Sequence, residues 1–316
     1  MPLTNFPQGV SSFGVPQLGV TPISIPQGSP VLTAKQGNVW FVNGTAGIGA
    51  DGNEGTSPDV ALATIGRAVT LAGDGTGDTI FVYPGTYVEN VNVGTKSNIS
   101  IIATEVLGNA KRVAIAPTTG IALTLGAGIR FYARGIRFVG TTATGCLTQN
   151  EGQRFDYCDF TSDTTHGIRF KGTVDANHTG SGTVFNSCIF RECGGAGIHI
   201  EIGTNGAVGL YPTNVNVYGN QFYLNTDDDI NDDAAGGALA AFSQWNISYN
   251  QFMTLNKTTY LDLNGTTGGS ECLVSGNYFA VNTAAGYATE FQMPSGSTGA
   301  FAGNFSGIGV IDGHTF

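Results

Sequence analysis

Apolar and polar residues alternate along short runs in the second half of the chain. The runs 215–222 (VNVYGNQF) and 245–252 (WNISYNQF) show this pattern most clearly, and it has the two-residue period of a β-strand. Gly, Asn, Asp, Ser and Thr fill the intervals between such runs, as turns require. The pattern therefore predicts many short strands joined by turns.

One motif recurs at intervals of about 30 residues, which is typical of stacked repeat proteins. Each copy ends on a phenylalanine, and Cys or Asn stands two residues before it. The phenylalanines are Phe160, Phe190, Phe222, Phe252 and Phe279, and the preceding residues are Cys158, Cys188, Asn220, Asn250 and Asn277. Repeats of this length built from short strands predict an all-β parallel β-helix, in which equivalent residues stack coil upon coil. A propeller or an up-and-down barrel fits this spacing less well.

The stacking makes specific predictions about neighbouring coils. The five phenylalanines form one column, and the three asparagines form a side-chain ladder that the two cysteines continue. The same offset places Arg169 beneath His199, and Lys171 beneath Glu201. A Lys–Glu stack on the surface would contribute at most about 1 kcal/mol. Tyr223 and Tyr278 should face outward. They would then form a sugar-stacking surface or a subunit interface, and partial burial by neighbouring loops is the alternative.

Residues 1–38 are predicted to form an extended, Pro-rich docking arm. Prolines hold a chain extended, and apolar residues are interleaved with them. An arm this apolar is expected either to lie along its own domain or to dock onto a partner, and we favour a partner. The predicted docking residues are Phe6, Val10, Phe13, Val15 and Leu18.

Residues 39–95 are predicted to form an N-terminal cap, and residues 96–316 the coils. Ser57 and Pro58 suit the start of a helix, apolar residues follow at helical spacing, and Gly73 suits its end. This predicts one helix over about 58–72. A helix over the first coil would cover an otherwise open sheet edge.

The composition excludes several classes of function. Only 11% of the residues are charged and the formal net charge is −10, which argues against nucleic-acid binding. No run approaches the roughly 20 apolar residues of a membrane-spanning helix, and residues 1–30 lack the features of a signal peptide. The five cysteines have no disulfide framework spacing. We therefore expect a protein made in the cytoplasm, without membrane insertion and without a cofactor.

Part of the predicted cap resembles the N-terminal segment of pectin-lyase-like β-helix proteins. The matching runs are WFVN at 40–43, GNEGTSP at 52–58, ATIGRAV at 63–69 and GDTIFVYPGTYVENV at 77–91. The resemblance implies a right-handed parallel β-helix. It does not imply lyase activity, because this fold carries enzymes and inert structural proteins alike.

The opening run LTNFPQGVSSFGVP at 3–16 is similar to the start of tailed-bacteriophage virion proteins. With the β-helix, this resemblance implies a virion surface protein, a homotrimeric head-decoration (cement) or head-fibre protein anchored to a capsid or tail protein by its arm. The alternative is a tailspike that binds or cleaves host surface polysaccharide. A secreted polysaccharide-active enzyme is a third, weaker hypothesis.

Glycan cleavage would require two carboxylates about 5–9 Å apart. Asp163 and Glu192 are the candidate catalytic pair, and solvated positions on turns are the alternative interpretation. Nothing in the sequence matches the Asp-rich calcium site of a pectate lyase. The sequence leaves enzymatic activity undecided and favours a non-enzymatic role.

The run 227–233 (DDDINDD) is the densest acidic segment. Its candidate metal ligands are Asp227, Asp229 and Asp232, because carboxylate oxygens suit Ca²⁺. The run lacks the spacing of an EF-hand loop, so a solvated turn is the favoured interpretation and a weak ion site at a subunit contact is the alternative.

Overall fold

A computed structural model describes part of the chain. The described residues are 37–105, 112–149, 151–171, 180–201, 212–232, 244–254, 260–262, 272–280, 291–292, 299–306 and 309–311. The predicted docking residues Phe6, Val10, Phe13, Val15 and Leu18 lie outside them. Across the described ranges, no helix has the length and apolar character needed to cross a membrane.

Three sheets run the length of the described structure, and successive strands pass from sheet A to sheet B to sheet C before the chain starts its next coil. Among the described residues, all inter-strand pairings are parallel except the last, between Asn304–Ser306 and Gly309–Ile311. The chain is therefore an all-β, right-handed parallel β-helix, as the repeat and the pectin-lyase-like resemblance predicted.

Each sheet takes one strand from each coil. Sheet A contains β1 (Val39–Val42), β2 (Thr79–Val82), β5 (Ile99–Ala103), β8 (Phe131–Arg134), β11 (Arg154–Asp156), β14 (Val184–Asn186), β17 (Asn216–Tyr218), β20 (Asn246–Ser248), β23 (Cys272–Ser275) and β26 (Gly299–Ala302). Sheet B contains β3 (Gly85–Tyr87), β6 (Val113–Ile115), β9 (Ile136–Gly140), β12 (Asp159–Ser162), β15 (Ile189–Cys193), β18 (Gln221–Tyr223), β21 (Gln251–Phe252), β24 (Tyr278–Phe279), β27 (Asn304–Ser306) and β28 (Gly309–Ile311). Sheet C contains β4 (Val91–Gly94), β7 (Leu123–Leu125), β10 (Cys146–Thr148), β13 (Ile168–Phe170), β16 (Ile198–Ile200), β19 (Ile230–Asp232), β22 (Leu261–Asp262) and β25 (Phe291–Gln292).

The predicted phenylalanine column is present in the interior. Phe190 and Phe222 are fully buried, and their ring centroids lie 4.8 Å apart with the planes 9° from parallel. The other neighbouring pairs are separated by 4.9, 4.8 and 4.7 Å. These separations match the spacing of paired strands, about 4.8 Å, so the column sets the register of the coils.

The predicted asparagine ladder is confirmed at the corner between sheets A and B. Asn220 donates from its backbone N–H and its Nδ2 to Asn250 Oδ1, at 2.9 and 3.0 Å. Asn250 repeats both bonds to Asn277, and Asn277 repeats them to Asn304. Cys188 stands one coil before Asn220 in the same column, and its N–H donates to Asn220 Oδ1 at 2.7 Å. The ladder thus satisfies buried polar groups that would otherwise cost free energy.

The N-terminal region differs from the prediction in its helix. The helix α1 spans Ile65–Leu71, whereas Pro58–Val60 form a separate 3-10 turn, and the Ser57 side chain makes no capping bond. Thr64 caps α1 by accepting the N–H of Arg67. The predicted helix over 58–72 was therefore too long, because extended backbone at Ala61 and Thr64 separates the two turns.

Residues 39–95 also contain the first coil, formed by β2, β3 and β4. Helix α1 packs against β1, β2 and β4 through Ile65, Ala68 and Val69, which are buried. Glu89 accepts the N–H groups of Ile65 and Gly66 at the start of α1, both at 2.8 Å. The helix is thereby fixed to the first coil at its N-terminal end.

Candidate functional site

A row of polar side chains crosses sheet C from coil to coil. Register places Arg169 beside His199, His199 beside Asn231, and Asn231 beside Asp262. Their neighbours in each strand, such as Ile168 and Ile198, are buried in the core. Since side chains alternate across a strand, the row faces away from the core, with one polar group for each coil. We refer to Arg169, His199 and Asn231 as the sheet C row.

Two histidines stack at this row. The rings of His166 and His199 lie 3.9 Å apart, centroid to centroid, with their planes 7° from parallel. His166 belongs to the turn before β13, and its Nδ1 accepts the backbone N–H of Ala196 at 3.0 Å. That bond makes Nδ1 the unprotonated nitrogen of the neutral ring, so the proton of His166 lies on Nε2.

A hydrogen-bond relay orients His199. Asn231 Nδ2 donates to Asp227 Oδ2 at 3.1 Å, so Asn231 Oδ1 is the acceptor in its 2.7 Å bond with His199 Nδ1. His199 therefore carries its proton on Nδ1 and retains a lone pair on Nε2. This arrangement leaves a basic nitrogen, held in place by an amide and a carboxylate.

The electrostatics of the row disfavour a second positive charge. Burial and, after it, the positive forms of His199 and Arg169 together lower the pKa of His166 to about 4, against an opposing effect of Asp227. Arg169 Nε lies 3.5 Å from Glu201 Oε2, and both side chains are about one-third exposed. The predicted register of Arg169 and His199 is confirmed.

This arrangement provides a one-third exposed cation at Arg169 and, on the next two coils, an oriented imidazole and an amide that are only 9% and 8% exposed. Such groups can bind the carboxylates or hydroxyls of an extended ligand that runs parallel to the helix axis. The Nε2 lone pair of His199 also has the chemistry of a general base. No single short motif signals this site, because its members are about 30 residues apart in the chain.

A second charged group lies on sheet B. Arg191 donates from Nε and Nη2 to the Asp159 carboxylate, at 3.1 and 2.9 Å, and Asp159 is fully buried. Arg137 Nε lies 3.7 Å from the same carboxylate. The bonds to Asp159 raise the pKa of Arg191 further above its already high value. The single Asp159 carboxylate is thus shared by two arginines and neutralises the charge of one of them.

The predicted catalytic pair lies at the corner between sheets B and C. Asp163 follows β12 directly and is exposed, and Glu192 lies in β15. Ser162 pairs with Cys193, so the two acids stand on neighbouring coils. Glu192 has a φ of 52° at a β-bulge, and its carboxylate lies 3.6 Å from Arg191 Nη1. Their catalytic role stays a prediction.

The predicted metal ligands have different partners. Asp227 is exposed and bonds Asn231, whereas Asp229 is fully buried and its Oδ1 accepts Asn225 Nδ2 at 2.8 Å. Asp232 ends β19. Within the described ranges, no group of three or more His, Cys, Asp or Glu side chains is arranged to hold a metal ion.

Sequence reasoning missed the role of Asp227 in the relay and the stacking of His166 on His199. The only available signal was the offset of about 30 residues that aligned Arg169 with His199. His166 lies in a turn, where the offset does not define the position of a side chain.

No family model matches the chain, and no curated protein matches it. Among solved structures, the fold is similar to alginate lyase from Paenibacillus sp. str. FPU-7, with a TM-score of 0.52 and 12% identity over 79% of this chain and 95% of that chain. Pectin methylesterase from carrot aligns with a TM-score of 0.47 and 13% identity, covering 83% and 88% of the two chains. Pectate lyase Pel9A aligns with a TM-score of 0.47 and 14% identity, covering 86% and 78%. At these identities the likeness is one of fold, and the chain has the parallel β-helix architecture of pectin- and alginate-lyase-like proteins.

Proposed function

We propose that this protein is a structural component of the surface of a tailed-bacteriophage particle. In this proposal it is a homotrimeric head-decoration or head-fibre protein, and residues 1–38 anchor it to a capsid or tail protein. The run at 3–16 and the apolar character of the arm support this role. No nucleic-acid or membrane contact is part of the proposal.

The observation that carries the structural role is that charged side chains in the middle coils form ion pairs and hydrogen bonds with other side chains of the protein. Asp159 is bound by Arg191 and approached by Arg137. Asp156 receives hydrogen bonds from Arg154, Tyr132 and Asn186, at 2.9, 3.0 and 3.2 Å. Together with the continuous phenylalanine column, these bonds favour a stiff rod whose charged groups stabilise the coils.

Point variants in the full chain test the anchoring. Phe6→Glu and Phe13→Glu place charge in the predicted docking residues, and Val88→Glu is a matched control at a side chain that is 62% exposed in the β-helix. We expect the unmodified protein and the Val88→Glu variant to co-sediment with phage particles. The two arm variants should remain in the supernatant. Equal retention of all four proteins would contradict the anchoring.

The sheet C row favours a second candidate function, a tailspike-type adsorption protein that binds or cleaves host surface polysaccharide. Arg169 would bind an acidic sugar, and His199, oriented through Asn231 by Asp227, would act as the base. The solved structures with this fold include an alginate lyase and a pectate lyase.

Release of unsaturated or reducing ends from host capsule and from alginate tests this candidate. We expect His199→Gln and Asp227→Asn to abolish any release, whereas Asp163→Asn and Glu192→Gln leave it unchanged. Loss with Asp163→Asn or Glu192→Gln alone would instead support the pair predicted from sequence. Absence of any release by the unmodified protein would leave the structural role as the function.

A further inference from the structure

A groove on the outer face of sheet B lies apart from the sheet C row. It encloses about 440 Å³ and is lined by Ile189, Arg191, Gln221, Tyr223, Leu224 and Met253. Register places Arg191 beside Tyr223, and the bond from Met253 N–H to Phe222 O places Met253 beside Tyr223 on the next coil. We refer to this feature as the sheet B groove.

Leu224 has a backbone conformation and an exposure that are both unfavourable for a leucine. It has a φ of 55°, a conformation that non-glycine residues rarely adopt, and its side chain is 61% exposed. The preceding coil has Glu192 at the same corner, with a φ of 52° and a solvated carboxylate. The backbone therefore accepts a charged residue here, and folding does not require leucine.

Met253 is also exposed, at 47%. Met253 and Leu224 form an apolar border of the groove, and their side chains are exposed and not part of the core. Adjacent exposed apolar side chains of this kind mark contact surfaces. The apolar border therefore indicates a ligand with an apolar face.

The polar edge of the groove is rigid. Arg191 is fixed by two bonds to buried Asp159, and its Nη1 donates to Tyr223 Oη at 3.3 Å. Because Tyr223 Oη accepts that bond, its own proton is available to a ligand. Gln221 adds an amide to the same lining. Groups held in this way lose little conformational entropy on binding.

The charges select against an anionic ligand. Asp159 neutralises Arg191, Glu192 lies 3.6 Å from Arg191 Nη1, and the whole chain carries a net charge of −10. What remains is an uncharged lining with an apolar border and a hydrogen-bonding edge. A pyranose ring has the complementary form, since its C–H face is apolar and its rim carries hydroxyls.

We propose that the sheet B groove binds an uncharged saccharide unit, in contact with Tyr223, Leu224 and Met253. This site is independent of the sheet C row and of any cleavage there. It would give the β-helix a glycan contact whether its main role is structural or adsorptive.

The Met253 methyl group provides a direct probe, because the chain has only three methionines. Full-length protein carrying ¹³C-methyl methionine would be titrated separately with glucose, mannose and galactose hexasaccharides and with an alginate hexasaccharide. Met253→Leu assigns the signal. We expect at least one neutral hexasaccharide to shift the Met253 signal saturably, and the alginate hexasaccharide to leave it unchanged.

Leu224→Glu restores the residue type of the preceding coil, and we expect it to weaken binding about tenfold, a loss typical of removing one well-packed contact. Tyr223→Phe, which retains the ring, is expected to weaken binding severalfold. Val88→Glu adds the same charge elsewhere and should bind as the unmodified protein does. Circular dichroism of each variant verifies the fold.

Three results would overturn the proposal. The first is a Met253 signal that no neutral hexasaccharide moves in folded protein. The second is a signal that responds to alginate alone. The third is a signal that moves with protein concentration in the absence of sugar, which would identify a second copy of the chain as the occupant of the groove.

Discussion

Cys188 occupies the place in one coil that Asn220 occupies in the next. Its Sγ lies 3.3 Å from the carbonyl oxygen of Phe155, and Asn220 Nδ2 donates to the carbonyl oxygen of Phe185 at 3.1 Å. The thiol thus replaces the amide as donor to the same kind of carbonyl. Burial raises the pKa of the Cys188 thiol well above its ordinary value, so the proton that it donates is retained. The column can therefore change residue type without losing its bond to the coil below.

The first prediction concerns Asn250, at the centre of the ladder. Asn250→Ala removes the acceptor of the Asn220 backbone N–H and the donor to the Val217 carbonyl. Each buried group left without a partner costs about 1–3 kcal/mol, so we expect the free energy of unfolding to fall by about 3 kcal/mol or more. Asn250→Cys keeps a donor and should cost less. Urea denaturation followed by circular dichroism measures both.

Asn246→Ala is the matched control for the ladder, because Asn246 is only partly buried and its bonds are to side chains alone. Its Nδ2 donates to Asn216 Oδ1 at 3.3 Å, and its Oδ1 accepts Ser248 Oγ at 2.8 Å. We expect the loss to be smaller than for Asn250→Ala, at about 1–2 kcal/mol. Equal losses for Asn246→Ala and Asn250→Ala would show that the ladder contributes nothing beyond an ordinary surface bond.

The second prediction concerns the phenylalanine column. Phe190 is fully buried between Phe160 and Phe222, and Phe190→Ala should lower the free energy of unfolding by about 3–5 kcal/mol, through lost burial and the cavity left behind. Phe305, which is 50% exposed, is the control, and Phe305→Ala should cost far less. A small loss at Phe190 would mean that the coils can close around the cavity.

The ladder and the column could be predicted because a stacked repeat superimposes residues at a fixed offset. Phe190 above Phe160, and Asn250 above Asn220, follow from the sequence once the repeat is recognised. Helix α1 was predicted too long because Pro58 marks a helix start locally, whereas tertiary contacts decide where the helix begins. Glu89 supplies such contacts at the N–H groups of Ile65 and Gly66, and Thr64 adds a local cap at Arg67.

The candidate site could be predicted only in part. The offset aligned Arg169 with His199, which lie on strands in register. The stacking of His166, and the bond from Asn231 to Asp227, depend on turns whose path no offset defines. The isolated sequence also gave no indication that Asp159 is buried and bound by Arg191, since a strand residue of that type is usually solvated.

The third prediction concerns Asp78, which ties the first coil to the strand and helix before it. Burial raises its pKa, but hydrogen bonds from Thr76, Trp40 and the backbone of Gly73 and Asn38 lower it to about 2. A lowered carboxyl pKa stabilises the fold above the unfolded value of 3.8, and that stabilisation is lost as the pH falls towards 2. Its size is about 2 kcal/mol.

Asp78→Asn removes this contribution and the acceptor for the Trp40 indole N–H. We expect the variant to be less stable than the unmodified protein by at least about 2 kcal/mol at pH 7, with the gap narrowing below pH 4. Thermal unfolding at a series of pH values measures the gap. A gap that stays constant down to pH 2 would show that Asp78 acts through packing alone.

The fourth prediction concerns the stacked histidines. The pKa of His166 is lowered from 6.5 to about 4, first by burial and then by the positive form of His199. The unfolded chain therefore binds a proton at His166 between these pH values and the folded chain does not. Stability must fall as the pH drops from about 6.5 to about 4 and then level off, with a total loss of at most about 3 kcal/mol. His166→Gln should remove this slope, whereas His178→Gln, which changes a histidine outside the described residues, should retain it. NMR titration of the His166 ring protons gives its pKa directly, and a value near 6.5 would show that the stacked pair is open to solvent and that the sheet C row can hold two positive charges at once.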